Sequence, residues 1–236
     1  MIMARKILAL VSFVWIVGCG SEAPARATQD IRTESPRNSD RPSDSLDAVL
    51  FLGTSLTAGY GLTEDQAFPS LIQAKLDSAG YPVRVVNGGV SGETSAGGLR
   101  RIDWLLRSRV AVLVLELGAN DGLRGLDIPE MRNNLQEIID RTRAAYPDAT
   151  IVVAGMEAPP NLGERYTSAF RDVFAEIATQ NDALLIPFLL DGVAAVPQLN
   201  QDDGIHPTAR GHQILAENVW QVIEPPLRAR TTRTVN

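Results

Sequence analysis

The sequence predicts an α/β fold, a five-stranded parallel sheet with helices on both faces. From Asp47 onward, short runs rich in Val, Leu and Ile recur without polar alternation, the pattern of strands buried on both faces. Stretches with apolar residues at helical spacing separate these runs, and prolines mark helix ends: Pro129 fits a first helical turn, while Pro147 and Pro225 fit just beyond the ends of helices.

Taken in order, the strands are predicted over residues 48–52, 83–86, 110–117, 151–154 and 183–186. The helices between them are predicted over 68–78, 96–107, 129–145 and 168–180, and a last helix over 208–223 closes the domain. Alternating βα units of this kind use right-handed crossovers, and ligands bind in the crevice beyond the C-terminal ends of the strands. The loops that follow the strands are therefore where chemistry is expected.

The chain has 236 residues, enough for one sizeable core. Residues 1–18 read as a secretory signal peptide: Arg5 and Lys6 precede an apolar run over 7–17 that is too short to span a bilayer. Cys19, the only cysteine, stands where the bacterial lipobox has its lipidated residue, which predicts an exported lipoprotein anchored in the cell envelope and facing the periplasm. Residues 19–45 are rich in Ser, Pro, Arg, Asp and Thr and read as a flexible linker, although a signal followed by a propeptide has the same composition. The domain is predicted over 46–226, with a flexible tail over 227–236. A net charge of −6 argues against nucleic acid as a partner.

The most informative stretch is Asp202-Asp203-Gly204-Ile205-His206-Pro207. It sets a carboxylate three residues before one of only two histidines, and a carboxylate-held imidazole keeps its tautomer and tolerates the charge it gains as a base. His212, inside the last helical pattern, reads as a helix-face residue. Ser55, in the turn after the first strand, is the candidate nucleophile. Its own N–H, the N–H of Gly89 after the second strand and the side-chain amide of Asn120 after the third are candidate donors for an oxyanion. No serine has glycine at both −2 and +2, two histidines and one signal-region cysteine leave no zinc cluster, and the glycine-rich loops form no phosphate-binding fingerprint. No metal and no cofactor are expected.

These blocks, Gly53-Thr54-Ser55-Leu56, Gly89, Gly118-Ala119-Asn120-Asp121 and Asp203-Gly204-Ile205-His206, resemble those of the SGNH (GDSL-type) hydrolases, over about residues 47–226. The stretches Val90-Ser91-Gly92-Glu93-Thr94 and Asn120-Asp121-Gly122-Leu123-Arg124-Gly125 make the chain most similar to the bacterial arylesterase, acyl-CoA thioesterase and lysophospholipase group. The resemblance implies a flavodoxin-like three-layer sandwich with strand order 2-1-3-4-5. It also implies a Ser55-His206-Asp203 triad, an oxyanion hole of Ser55, Gly89 and Asn120, no metal and a monomeric enzyme. The expected substrates are short-to-medium acyl esters, such as aryl esters or lysophospholipids, and thioesters. An O-deacetylase of envelope carbohydrates and a catalytically silent envelope lipoprotein stay open as alternatives. Thr54 departs from the family motif, which usually has aspartate there. Leu123, Leu126, Ala158 and Leu162 are candidates for lining an acyl pocket.

Overall fold

The computed structural model describes residues 46–234; the signal segment, Cys19 and the linker up to residue 45 lie outside the described residues. Strands β1 (Asp47–Gly53), β2 (Val83–Gly89), β3 (Val110–Glu116), β4 (Thr150–Ala154) and β5 (Leu184–Ile186) form one sheet, parallel throughout, in the order β2-β1-β3-β4-β5. The central strands carry the core: every residue of β3 is buried, and so are the last six of β1. At the sheet edge β2 is mostly half-buried, because only one neighbour covers it.

The helices are α1 (Ser55–Ala58), α2 (Phe68–Ala79), α3 (Ser95–Leu105), α4 (Ala119–Leu123), α5 (Ile128–Ala145), α6 (Glu164–Gln180) and α7 (Ala209–Thr234). Helices α3, α5 and α6 pack in sequence as one layer, and α2 packs on α7 as the other. Local signals set their limits. Thr94 caps α3 by accepting from the Gly97 N–H, and Asp127 caps α5 by accepting from the Glu130 N–H just ahead of Pro129 in the first turn.

Two boundaries differ from the sequence-based expectation. Strand β2 runs on through Asn87, Gly88 and Gly89, so Gly89 is a strand residue paired with Gly53 rather than a loop residue. Helix α7 continues through Pro225 and Pro226 to Thr234, where the sequence predicts an end at Ile223 and a flexible tail. A proline inside a helix gives up a backbone hydrogen bond and crowds the preceding turn, but tertiary contacts hold the last turns here. Leu227 is buried against the core, Arg228 donates to Glu224, and Arg230 donates to the Asp148 carbonyl.

The register brings the strand ends to one edge: Gly53 pairs with Gly89 on one side and with Glu116 on the other. Every loop singled out in the sequence leaves from this edge.

Candidate active site

Ser55 opens α1, a single turn closed by Gly59 in the left-handed conformation (φ 72°). Its Oγ lies 2.9 Å from His206 Nε2, and His206 Nδ1 lies 2.6 Å from Asp203 Oδ2. The second oxygen of Asp203 accepts from the backbone N–H groups of Ile205 and His206, both at 3.0 Å. These bonds, led by that with the His206 ring, hold the Asp203 carboxyl at a pKa of about 2, well below the usual range. The two loops are tied across the site by Gln201: its backbone N–H donates to the His206 carbonyl at 2.7 Å, and its side-chain amide donates to the carbonyls of Tyr60 (2.7 Å) and Pro207 (3.0 Å). The Tyr60 ring lies over the imidazole of His206, with centroids 4.6 Å apart.

The expected oxyanion donors fare differently. Asn120, the second residue of α4, faces the same cleft as Ser55, with one amide hydrogen donated to the Glu93 carbonyl at 3.0 Å and the other left for a ligand. Asp121 fixes α4 by accepting from the Ser95 N–H (2.8 Å) and the Ser95 hydroxyl (2.6 Å) at the start of α3. Gly89 does not reach the cleft, which corrects its expected role. Its N–H is spent on the Asn87 side chain at 2.9 Å, and it abuts α1 so closely that a Cβ would stand 2.2 Å from the Ala58 nitrogen. Gly92, three residues on, does line the cleft, and among the described residues its N–H has no protein acceptor. Its signal in the sequence was the Ser91-Gly92-Glu93-Thr94 turn just before the α3 cap.

The cleft has a volume of about 660 Å³. Ser55, Gly92, Asn120 and His206 bring polar groups to its lining, and Leu123, Met156, Ala158, Phe188, Leu190 and Ile205 supply apolar wall. Of the four residues expected to line it, Leu123 and Ala158 do; Leu126 and Leu162 do not. Leu126 is exposed, and Leu162 packs by Gly125. His212 does sit on a helix face, the buried one, where Nδ1 accepts from the Phe68 N–H at 3.0 Å. Among the described residues no group of three or more His, Cys, Asp or Glu could hold a metal ion.

A hydroxyl, an imidazole and a carboxylate in series, beside free N–H donors and an apolar wall, can transfer an acyl group. Comparison with known proteins agrees. Residues 51–214 match the GDSL-like lipase/acylhydrolase family. The chain belongs to that family. As an SGNH-type ester hydrolase it is 42% identical over 180 residues to esterase TesA of Pseudomonas aeruginosa, spanning 76% of this chain and 89% of that protein. It is 37% identical over 182 residues to thioesterase 1/protease 1/lysophospholipase L1 of Escherichia coli, spanning 77% and 85%. The crystal structure of TesA superposes with a TM-score of 0.73 at 41% identity, covering 76% of this chain and 99% of that one. The fold and its 2-1-3-4-5 strand order are those of SGNH hydrolases.

Proposed function

We propose that this SGNH hydrolase cleaves carboxylic esters and thioesters of short-to-medium acyl groups, with aryl esters or lysophospholipids as substrates, through an acyl-enzyme on Ser55. The observation that carries the reading is the series Ser55 Oγ to His206 Nε2 (2.9 Å) and His206 Nδ1 to Asp203 (2.6 Å), opening onto an apolar wall. Ser55 Oγ attacks the carbonyl carbon while its proton passes to His206 Nε2; Asp203 holds the ring and balances the imidazolium. The oxyanion takes hydrogen bonds from the N–H groups of Ser55 and Gly92 and from the Asn120 amide, Gly92 standing where Gly89 was expected. The imidazolium then returns its proton to the departing alcohol or thiol, and water, deprotonated by His206, releases the acid.

The apolar wall favours acyl chains over acetyl groups alone, which sets the esterase reading above a carbohydrate O-deacetylase. The names of the relatives, an esterase and a thioesterase/lysophospholipase, support the substrate class. The N-terminal pattern around Cys19 completes the proposal: an exported, lipid-anchored enzyme of the envelope.

The test is hydrolysis of p-nitrophenyl esters from acetyl to palmitoyl by a soluble form beginning near Ser45, alongside Ser55→Ala. Turnover should peak at an intermediate chain length and vanish in the variant. Equal turnover in Ser55→Ala would remove the serine mechanism, and activity confined to acetyl would favour the deacetylase.

A further inference from the structure

Beneath the Ser55 turn lies a carboxyl group that the reaction does not consume. Glu116, the last residue of β3, is fully buried, and no lysine or arginine touches it among the described residues. Its side chain makes four hydrogen bonds, all with the two threonines that bracket Ser55 and Leu56. Oε2 accepts from the Thr54 N–H (2.8 Å), the Thr57 N–H (3.3 Å) and the Thr57 hydroxyl (2.7 Å), while Oε1 meets the Thr54 hydroxyl at 2.9 Å. The approach is close enough that Gly53 must lack a side chain: a Cβ there would stand 2.0 Å from Thr57 Oγ1 and 2.5 Å from Glu116 Oε2. One buried group on the rigid central strand thus holds the residues on both sides of the nucleophile.

Thr54 stands where the family motif usually has aspartate, and the contact shows what a hydroxyl does in that place. An aspartate beside Glu116 would set two carboxyl groups on one site, and like charges at that range force one of them to keep a proton. A hydroxyl both donates and accepts, so Thr54 matches Glu116 whether or not that carboxyl is ionised. Burial pushes the Glu116 carboxyl above its ordinary pKa while the bonds from both threonines oppose the rise, so a partner suited to either state is of use.

We propose that Glu116 is a positioning residue for Ser55, acting through Thr54 and Thr57, and that the Thr54 hydroxyl closes this anchor in place of the family's aspartate. The inference rests on Ser55 being the nucleophile. If the anchor sets the direction of Ser55 Oγ toward His206, loosening it lowers the rate of acylation without weakening substrate binding in the apolar cleft.

The experiment measures kcat and KM on the best p-nitrophenyl ester, together with the rate of labelling by a fluorophosphonate, for Thr54→Val, Thr54→Ser, Glu116→Met and Ser55→Ala. Thr54→Val should lower kcat and the labelling rate together by on the order of tenfold, with KM changed less than about twofold, because sub-ångström displacement of a reacting atom is felt in the rate. Thr54→Ser, which restores a hydroxyl, should recover most of that loss, and Glu116→Met should lose more than Thr54→Val. Should Glu116→Met fail to fold, the valine and serine pair decides. Equal kcat in the valine and serine variants, or a loss confined to KM, overturns the anchor. Turnover surviving in Ser55→Ala would overturn the serine reading and the inference with it. An inactive Ser55→Ala beside a fully active Thr54→Val overturns the inference alone.

Discussion

His212 is one of only two histidines, and its position makes the domain sensitive to acid. It is 1% exposed, and its Nδ1 accepts the Phe68 N–H, so the folded state holds it neutral. Burial first, and the nearby His206 second, lower its pKa to about 4. The unfolded chain takes up that proton near pH 6.5 and the folded chain only near pH 4. Stability is therefore lost as pH falls between those values, by about 2 kcal/mol from pH 7 to pH 5. Urea unfolding at the two pH values should show this loss in the native protein and a smaller one in His212→Gln, which keeps an acceptor for Phe68 but does not titrate. At this scale the proposed reacting groups were legible: a histidine three residues after an aspartate, in a chain with few histidines, stands out, and the structure brings it to Ser55. Gly92 was less so, because nearby glycine turns look alike until the fold shows that the Gly89 N–H is already taken by the Asn87 side chain. Glu116 was hidden although a signal existed. It is the one charged residue in the otherwise apolar run over 110–117, and a charge in a buried strand needs partners close by.

Among the elements, α7 shows tertiary packing overriding a local rule. Pro225 and Pro226 mark a helix end by propensity, yet Leu227 is 2% exposed and packs with the core, so the turns beyond the prolines gain more than the missing hydrogen bonds cost. Leu227→Ala should destabilise the domain by about 2–5 kcal/mol, read as a lower urea midpoint with an unchanged slope, while esterase activity at 25 °C stays the same. A loss below 0.5 kcal/mol would mean that the last turns are frayed. The long helices and apolar strands were readable because their periodicity extends over several turns or a full buried run. The one-turn helices α1 and α4, which carry Ser55 and Asn120, were not. Five or fewer residues hold no periodicity, and these turns exist because Glu116 and Asp121 tie them down.

For the whole molecule, the sheet brings the loops that carry Ser55, Gly92, Asn120 and His206 to one edge, and the sequence foretold this edge because parallel strands present their following loops together. No helix among the described residues is long and apolar enough to cross a membrane; the lipid anchor proposed at Cys19 has its own test. Labelled palmitate should appear on the full chain expressed in a bacterial host and disappear in Cys19→Ser, which should move from the membrane fraction to the soluble one with its esterase activity intact. Retention of the variant on membranes would refute a lipid anchor at that residue. The pairing of Ser55 with His206 spans 151 residues of sequence, and Gln201 welds the histidine loop to the Tyr60 loop at the very end. A chain built from its N-terminus therefore carries Ser55 long before His206. Until the final loop closes, the growing chain holds a serine hydroxyl with no imidazole beside it.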